Sequence, residues 1–158
     1  MRAQEIEILL VEDNAADADL TLHALRRNGQ IHRIHLVRDG EEALDFLFGQ
    51  SQYRERAGQP LPQLILLDLK LPKIDGLSVL RVLKQDRRTR WIPVIILTAS
   101  SEGADLLTSY DLGVNSYVQK PVDFDQFHKT LEAVAIYWLS LNQPPPAQPL
   151  AGVPEQPS

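Results

Sequence analysis

Apolar residues in this chain come in short blocks whose period changes along the sequence. Ile6 to Val11 (IEILLV) is a nearly unbroken apolar run that stops at Glu12-Asp13-Asn14, which predicts a strand buried on both faces and followed by a loop. From Ala15 to Asn28 the apolar positions, Leu20, Leu22 and Leu25 among them, take helical spacing, and Gly29 ends the element. Ile31 to Val37 returns to partial alternation. Asp39-Gly40-Glu41-Glu42 follows with the Asp-x-x-Glu spacing of a helix N-terminus, predicting a second helix to about Phe48. Gly49 to Gln63, with Gly58, Pro60 and Pro62 among polar residues, reads as a long surface loop.

The unit then repeats. Leu64 to Leu67 (LILL) is the most apolar strand candidate and ends at Asp68. Beyond the Pro72 and Gly76 turn, Leu77, Leu80, Val82 and Leu83 mark a third helix. Val94 to Leu97 (VIIL) is a fourth strand ending at Thr98, Glu102 to Leu112 a fourth helix, and Ser116 to Gln119 a fifth strand before Lys120-Pro121. A last helix opens on Asp123-x-x-Gln126. Strands alternating with helices imply a parallel sheet covered on both faces, because each right-handed crossover lays its helix on the sheet. The predicted fold is α/β: a doubly wound, five-stranded parallel sheet over residues 1–142. Six prolines in the 15 residues from Pro144 onward leave almost nothing to bury, so 143–158 is expected to be a disordered proline-rich tail.

Composition narrows the chemistry. With no cysteine, disulfides, thiolate metal sites and cysteine nucleophiles are excluded. Sixteen basic against 21 acidic residues give a net charge of -5, the wrong sign for direct DNA binding through the phosphate backbone. The amino terminus carries carboxylates where a signal peptide would be apolar, and no run approaches a membrane span. A cytoplasmic protein without membrane contact is expected.

Ligands of such sheets bind beyond the carboxyl ends of the strands. Here those ends are Glu12-Asp13, Asp68, Thr98 and Lys120. Three clustered carboxylates repel one another, and each loses hydration on partial burial, so a cation is expected among them. Oxygen donors alone suit a hard divalent ion such as Mg2+, which keeps several waters and uses one or two carboxylates directly. A divalent cation beside a carboxylate and a lysine suits phosphoryl transfer, with Asp68, on the most central strand, as nucleophile. An isolated strand-ending Asp would simply cap the next turn; the company of the other polar strand ends argues against that here. Pro121 directly after Lys120 is expected to set a cis peptide that aims the ammonium inward.

Val11-Glu12-Asp13-Asn14, Leu67-Asp68, Leu71-Pro72-x-x-Asp75-Gly76, Leu97-Thr98-Ala99 and Lys120-Pro121, in this order over roughly residues 6 to 142, resemble the receiver domain of two-component response regulators. The resemblance implies a flavodoxin-like sheet of order 2-1-3-4-5. It also implies that Asp68 accepts a phosphoryl group from a histidine kinase and that the output is a conformational change read by a downstream protein, with no enzymatic activity beyond the protein's own phosphorylation and dephosphorylation. Asp13, Asp68 and the backbone carbonyl of Lys70 would hold Mg2+, Glu12 would act mainly through a metal-bound water, and Thr98 and Lys120 would hold phosphoryl oxygens. Ala99 would leave the phosphodonor room, and Tyr117, three before Lys120, would rotate as Thr98 moves. Lys70 and Ser100 would tune the phosphoryl lifetime. The loop after the second helix, Pro121 to Phe127 and Tyr137-Trp138-Leu139 are similar to the single-domain receivers paired with bacterial phytochrome histidine kinases, which implies such a kinase as partner.

The last helix has one apolar face from Phe127, Leu131, Val134 and Trp138, yet Ala135, Ile136, Tyr137, Leu139 and Leu141 are apolar too. Either a homodimer contact or a broader core under the long loop covers the surplus. His23, His32, His35 and His128 are scattered, which favours surface roles. The main competing function is a magnesium-dependent phosphatase with an aspartate nucleophile. It would want a second Asp two residues after the first as general acid, where this chain has Lys70. A flavin or nucleotide site would want a Gly-rich or hydroxyl-rich loop after the first strand, where Glu12-Asp13 stands instead.

Overall fold

The computed structural model describes residues 5–146. Its elements run in the predicted order: β1 (Glu7–Val11), α1 (Ala15–Arg26), β2 (Arg33–Val37), α2 (Gly40–Phe48), β3 (Leu64–Leu67), α3 (Gly76–Gln85), β4 (Val94–Thr98), α4 (Gly103–Asp111), β5 (Ser116–Gln119) and α5 (Phe124–Ile136). The five strands are parallel in the order β2-β1-β3-β4-β5, so β3 is central. Helix ends follow local chemistry. Asp39, Asp75 and Asp123 each accept a hydrogen bond from the backbone N–H three residues on, and Gly49, at φ 63°, closes α2 in the left-handed region. From residue 147 the proline-rich tail lies outside the described residues. Among the described residues no helix is long and apolar enough to cross a membrane.

Strand alternation divides the core into two layers. Leu9, Val11, Ile65, Leu67 and Ile96 point to the side covered by Phe46 of α2 and Val79, Leu80 and Leu83 of α3. Ile8, Leu10, Leu64, Leu66, Ile95 and Leu97 point to the side covered by Leu25 of α1 and Phe127, Leu131 and Ala135 of α5. Burial of both faces explains why β3 is apolar at all four positions.

Two expectations are corrected. The segment predicted as a surface loop contains a 3₁₀ turn, Ser51–Arg56, that seals one end of the core. Tyr53 packs edge-on to Phe46 at 5.2 Å between centroids, and the Arg56 guanidinium lies 3.7 Å over the Phe46 ring while bonding Glu7 at 2.8 Å. The polar composition hid this because the arginine stem and its cation cover the ring. His35 is not a surface group either. It stacks on Phe46 at 4.3 Å and its Nε2 lies 3.2 Å from the Tyr53 hydroxyl.

Burial, with the Arg56 charge adding to it, holds the His35 pKa below its ordinary 6.5. As pH falls below 6.5 the unfolded chain takes up a proton that the folded chain refuses, so stability present above 6.5 is lost as pH falls through the lower folded value. His35→Phe, which keeps the stack, is expected to flatten that loss. Urea unfolding of both proteins from about pH 7 to about pH 5 measures it, and parallel pH profiles would refute the assignment.

Candidate functional site

Sheet register assembles the site. Val11 pairs with Leu67 and Leu67 with Ile96, while Thr98 pairs with Gln119. The next residues of β1, β3 and β5 are therefore delivered to one edge, pinned by backbone bonds from Asp68 N–H to Val11 at 3.1 Å and from Lys120 N–H to Thr98 at 2.7 Å. The chain leaving Asp68 turns back so closely that a Cβ on Gly76 would stand 2.3 Å from the Asp68 carbonyl oxygen and 2.5 Å from Leu69 Cα. Only glycine permits that approach, and the turn it closes is held by the Gly76 N–H to Leu69 carbonyl bond of 2.9 Å.

Lys120 is the hub. Its Nζ donates to Glu12 Oε1 at 2.5 Å, Asp17 Oδ2 at 2.8 Å and Asp68 Oδ2 at 3.0 Å, with the lysine side chain only 8% exposed. The expected cis peptide is not found: no described peptide bond is cis. What aims the ammonium inward is the ring of carboxylates itself. Burial alone would depress the lysine pKa, but the bonds to Asp17 and Glu12 carry it above its ordinary value. Glu12, 2% exposed, is pushed up to about 7 by burial, against the pull of Lys120 and helped by the Asp68 charge. Asp68 goes the other way: burial opposes its ionisation, but hydrogen bonding with Glu12 and the Lys120 charge, with Thr98 contributing, hold it below the ordinary carboxylate range. The central acid is thus the anion, the form a nucleophile needs.

Glu12, Asp13 and Asp68 each present an oxygen within 4.8 Å of the others. These three hard donors fit a divalent cation, and Asp13, the exposed member, leaves the cluster open to water. Lys70 is exposed, and its backbone N–H donates to Asp68 Oδ1 at 3.3 Å, which holds the Lys70 backbone beside the site. Thr98 is fully buried, and its Oγ1 accepts from the Ser100 N–H at 3.4 Å; Ala99 is exposed beside it. Tyr117 donates its hydroxyl to the Ser100 carbonyl at 3.0 Å, and the Ser100 hydroxyl donates to Asp105 of α4 at 2.6 Å. One hydrogen-bonded path therefore links the strand end at Thr98 to β5 and to α4.

The candidate site residues Glu12, Asp13, Asp68, Lys70, Thr98, Ala99, Tyr117 and Lys120 lie at or beside this edge. Asp17 was missed. Its one signal was its place in the first turn of α1, close behind the end of β1.

A family model, the response regulator receiver domain, matches residues 8–132. The probable methanogenesis regulatory protein FilR2 of Methanothrix harundinacea (strain 6Ac) is 46% identical over 138 residues, covering 87% of this chain and 86% of its own. The crystal structure of the phosphorylated cyanobacterial phytochrome response regulator RcpA aligns with a TM-score of 0.84 at 39% identity, over 90% of this chain and 99% of that one. The Mn2+-bound form of response regulator Rcp1 aligns with a TM-score of 0.82 at 39% identity, over 89% of this chain and 99% of that one.

Proposed function

Since this chain belongs to the response regulator receiver family, we propose that it takes a phosphoryl group on Asp68 from a phosphohistidine of a phytochrome-type kinase. The phosphorus–nitrogen bond of the donor breaks, a phosphorus–oxygen bond forms at an Asp68 Oδ, and the imidazole leaves. The observation that carries this reading is the convergence of Glu12, Asp13, Asp68, Thr98 and Lys120, with Asp68 anionic and Lys120 within reach. Glu12, Asp13 and Asp68 are the residues to hold Mg2+, joined by the Lys70 carbonyl; when bound, the ion screens charge between nucleophile and phosphoryl oxygens. Thr98 and Lys120 donate to those oxygens, and Ala99 leaves the approach open. The phytochrome partner is supported by the similarity to RcpA. The phosphatase alternative lacks its general acid, because exposed Lys70 stands at that position.

Incubation with acetyl phosphate and magnesium, read by intact mass, tests the reading. One phosphoryl group is expected on the wild type and none on Asp68→Asn, with no turnover of small phosphate esters. Sustained ester turnover would favour the phosphatase.

Output is assigned to the face of α4, β5 and α5. Phosphorylation adds acceptor oxygens at Asp68 that draw Thr98 and Lys120, and the path through Ser100 carries the displacement to Tyr117 and Asp105. Leu106, Leu107 and Tyr110 stand exposed on α4 as the surface for a downstream protein. Tyr117→Ala is expected to accept phosphoryl normally but to lose most of the amide shift changes that a phosphoryl analogue causes in α4. Shift changes in α4 as large as those of the wild type would contradict the path.

Of the surplus apolar residues at the last helix, Ala135 is buried and Leu139 packs partly buried against the core, whereas Ile136 is 52%, Tyr137 49% and Leu141 65% exposed. The helix continues through a π turn, Tyr137–Leu141. A second copy of the chain is the occupant proposed for this patch. Sedimentation is expected to find a dimer that Tyr137→Glu dissociates; a monomer with and without phosphoryl analogue would remove the dimer.

A further inference from the structure

We propose that Asp17 is a positioning residue that restrains Lys120 in the resting protein and so sets how readily the site takes up a phosphoryl group. This rests on the function proposed above. An ammonium has three N–H donors, and here they are shared among Glu12, Asp17 and Asp68. Phosphoryl oxygens arriving at Asp68 can be bonded by Lys120, with its bond to the Asp68 carboxyl kept, only if the bond to Glu12 or to Asp17 is given up.

The structure distinguishes which one. The Glu12 side chain is 3% exposed and its other oxygen is occupied by the Asn14 N–H, so losing the ammonium would strand a buried carboxylate. The Asp17 side chain is 33% exposed, and water replaces the lost bond. The backbone at Asp17 is also fixed independently of its carboxylate. Its N–H donates to Asn14 Oδ1 at 2.9 Å, and its carbonyl accepts from Thr21 Oγ1 at 2.8 Å. Only the side chain needs to turn, and α1 stays in place. Asp17 is not one of the three carboxylates whose oxygens cluster within 4.8 Å, so its bond to Lys120 is separable from cation holding. Asp17 thus competes with the phosphoryl group for the lysine and favours the unphosphorylated state.

A double-mutant cycle with beryllofluoride, a phosphoryl analogue, titrated at saturating magnesium tests this. Asp17→Asn is expected to bind the analogue roughly fivefold more tightly than wild type, the scale of a partly exposed ion pair. In a Lys120→Met background the same substitution is expected to change nothing. A general field effect of removing one negative charge would tighten binding equally in both backgrounds, and that result, or unchanged affinity in Asp17→Asn, overturns the proposal. A second measurement does not depend on Lys120→Met folding. In the wild-type complex the Lys120 ammonium is expected beyond hydrogen-bond reach of Asp17, and a retained bond overturns the proposal. Wild type that binds no analogue at all would instead remove the phosphoacceptor reading, and this inference with it.

Discussion

Lys120→Met is expected to lower the metal-free unfolding free energy by about 3 kcal/mol, the scale of breaking a buried ion pair from one side. At this chain length that corresponds to roughly 10 °C in Tm. The reason is local. Glu12 and Asp68 are 2% and 8% exposed, and the ammonium that lies 2.5 and 3.0 Å from them is the cation that balances them. Without it, two carboxylates face each other in a site where water is scarce, and one must take up a proton or the edge must open. Magnesium should then rescue the variant, because an ion bound to the folded state alone stabilises in proportion to the logarithm of its concentration over Kd. The rescue should exceed the stabilisation of wild type, where the ammonium competes for the same oxygens. Thermal melts with and without magnesium check both points. Equal melting temperatures for the two proteins, or a variant indifferent to magnesium, would contradict the electrostatic account of the site.

Asp68→Asn is expected to abolish phosphoryl incorporation and to weaken magnesium binding on the order of tenfold or more. The two effects have separate origins. Asparagine keeps the shape of the side chain and its contact to the Lys70 N–H, but it is not a nucleophile and brings no charge to the cluster with Glu12 and Asp13. Because the Asp68 charge helps push Glu12 up to about 7, the variant should also ionise Glu12 at lower pH. Calorimetric titration with magnesium, beside intact mass after acetyl phosphate, separates the losses. A variant that binds magnesium like wild type would show that Asp68 is not a ligand.

Much of this was legible in the chain. Apolar runs such as LILL and VIIL end in Asp68 and Thr98, and parallel pairing in register must bring such ends to one edge, so four of the five strand ends could be placed beforehand. The sequence concealed effects that depend on side chains crossing between elements. His35 and Arg56 read as surface groups because their partner, Phe46, comes from another element. Asp17 was not singled out because the ammonium it meets lies 103 residues away in the chain. The inward aim of Lys120 was expected from its proline and comes instead from three carboxylates.

In the function proposed, the buried carboxylate of Asp68 accepts phosphorus, and it does so with a cation held by its neighbours. Borohydride reduction tests this most directly, since it converts an aspartyl phosphate to homoserine and leaves a phosphohistidine unreduced. After acetyl phosphate and magnesium, peptide mapping should find homoserine at position 68 alone, and none when the metal is chelated. Conversion at another acid, or equal conversion without metal, would contradict the account.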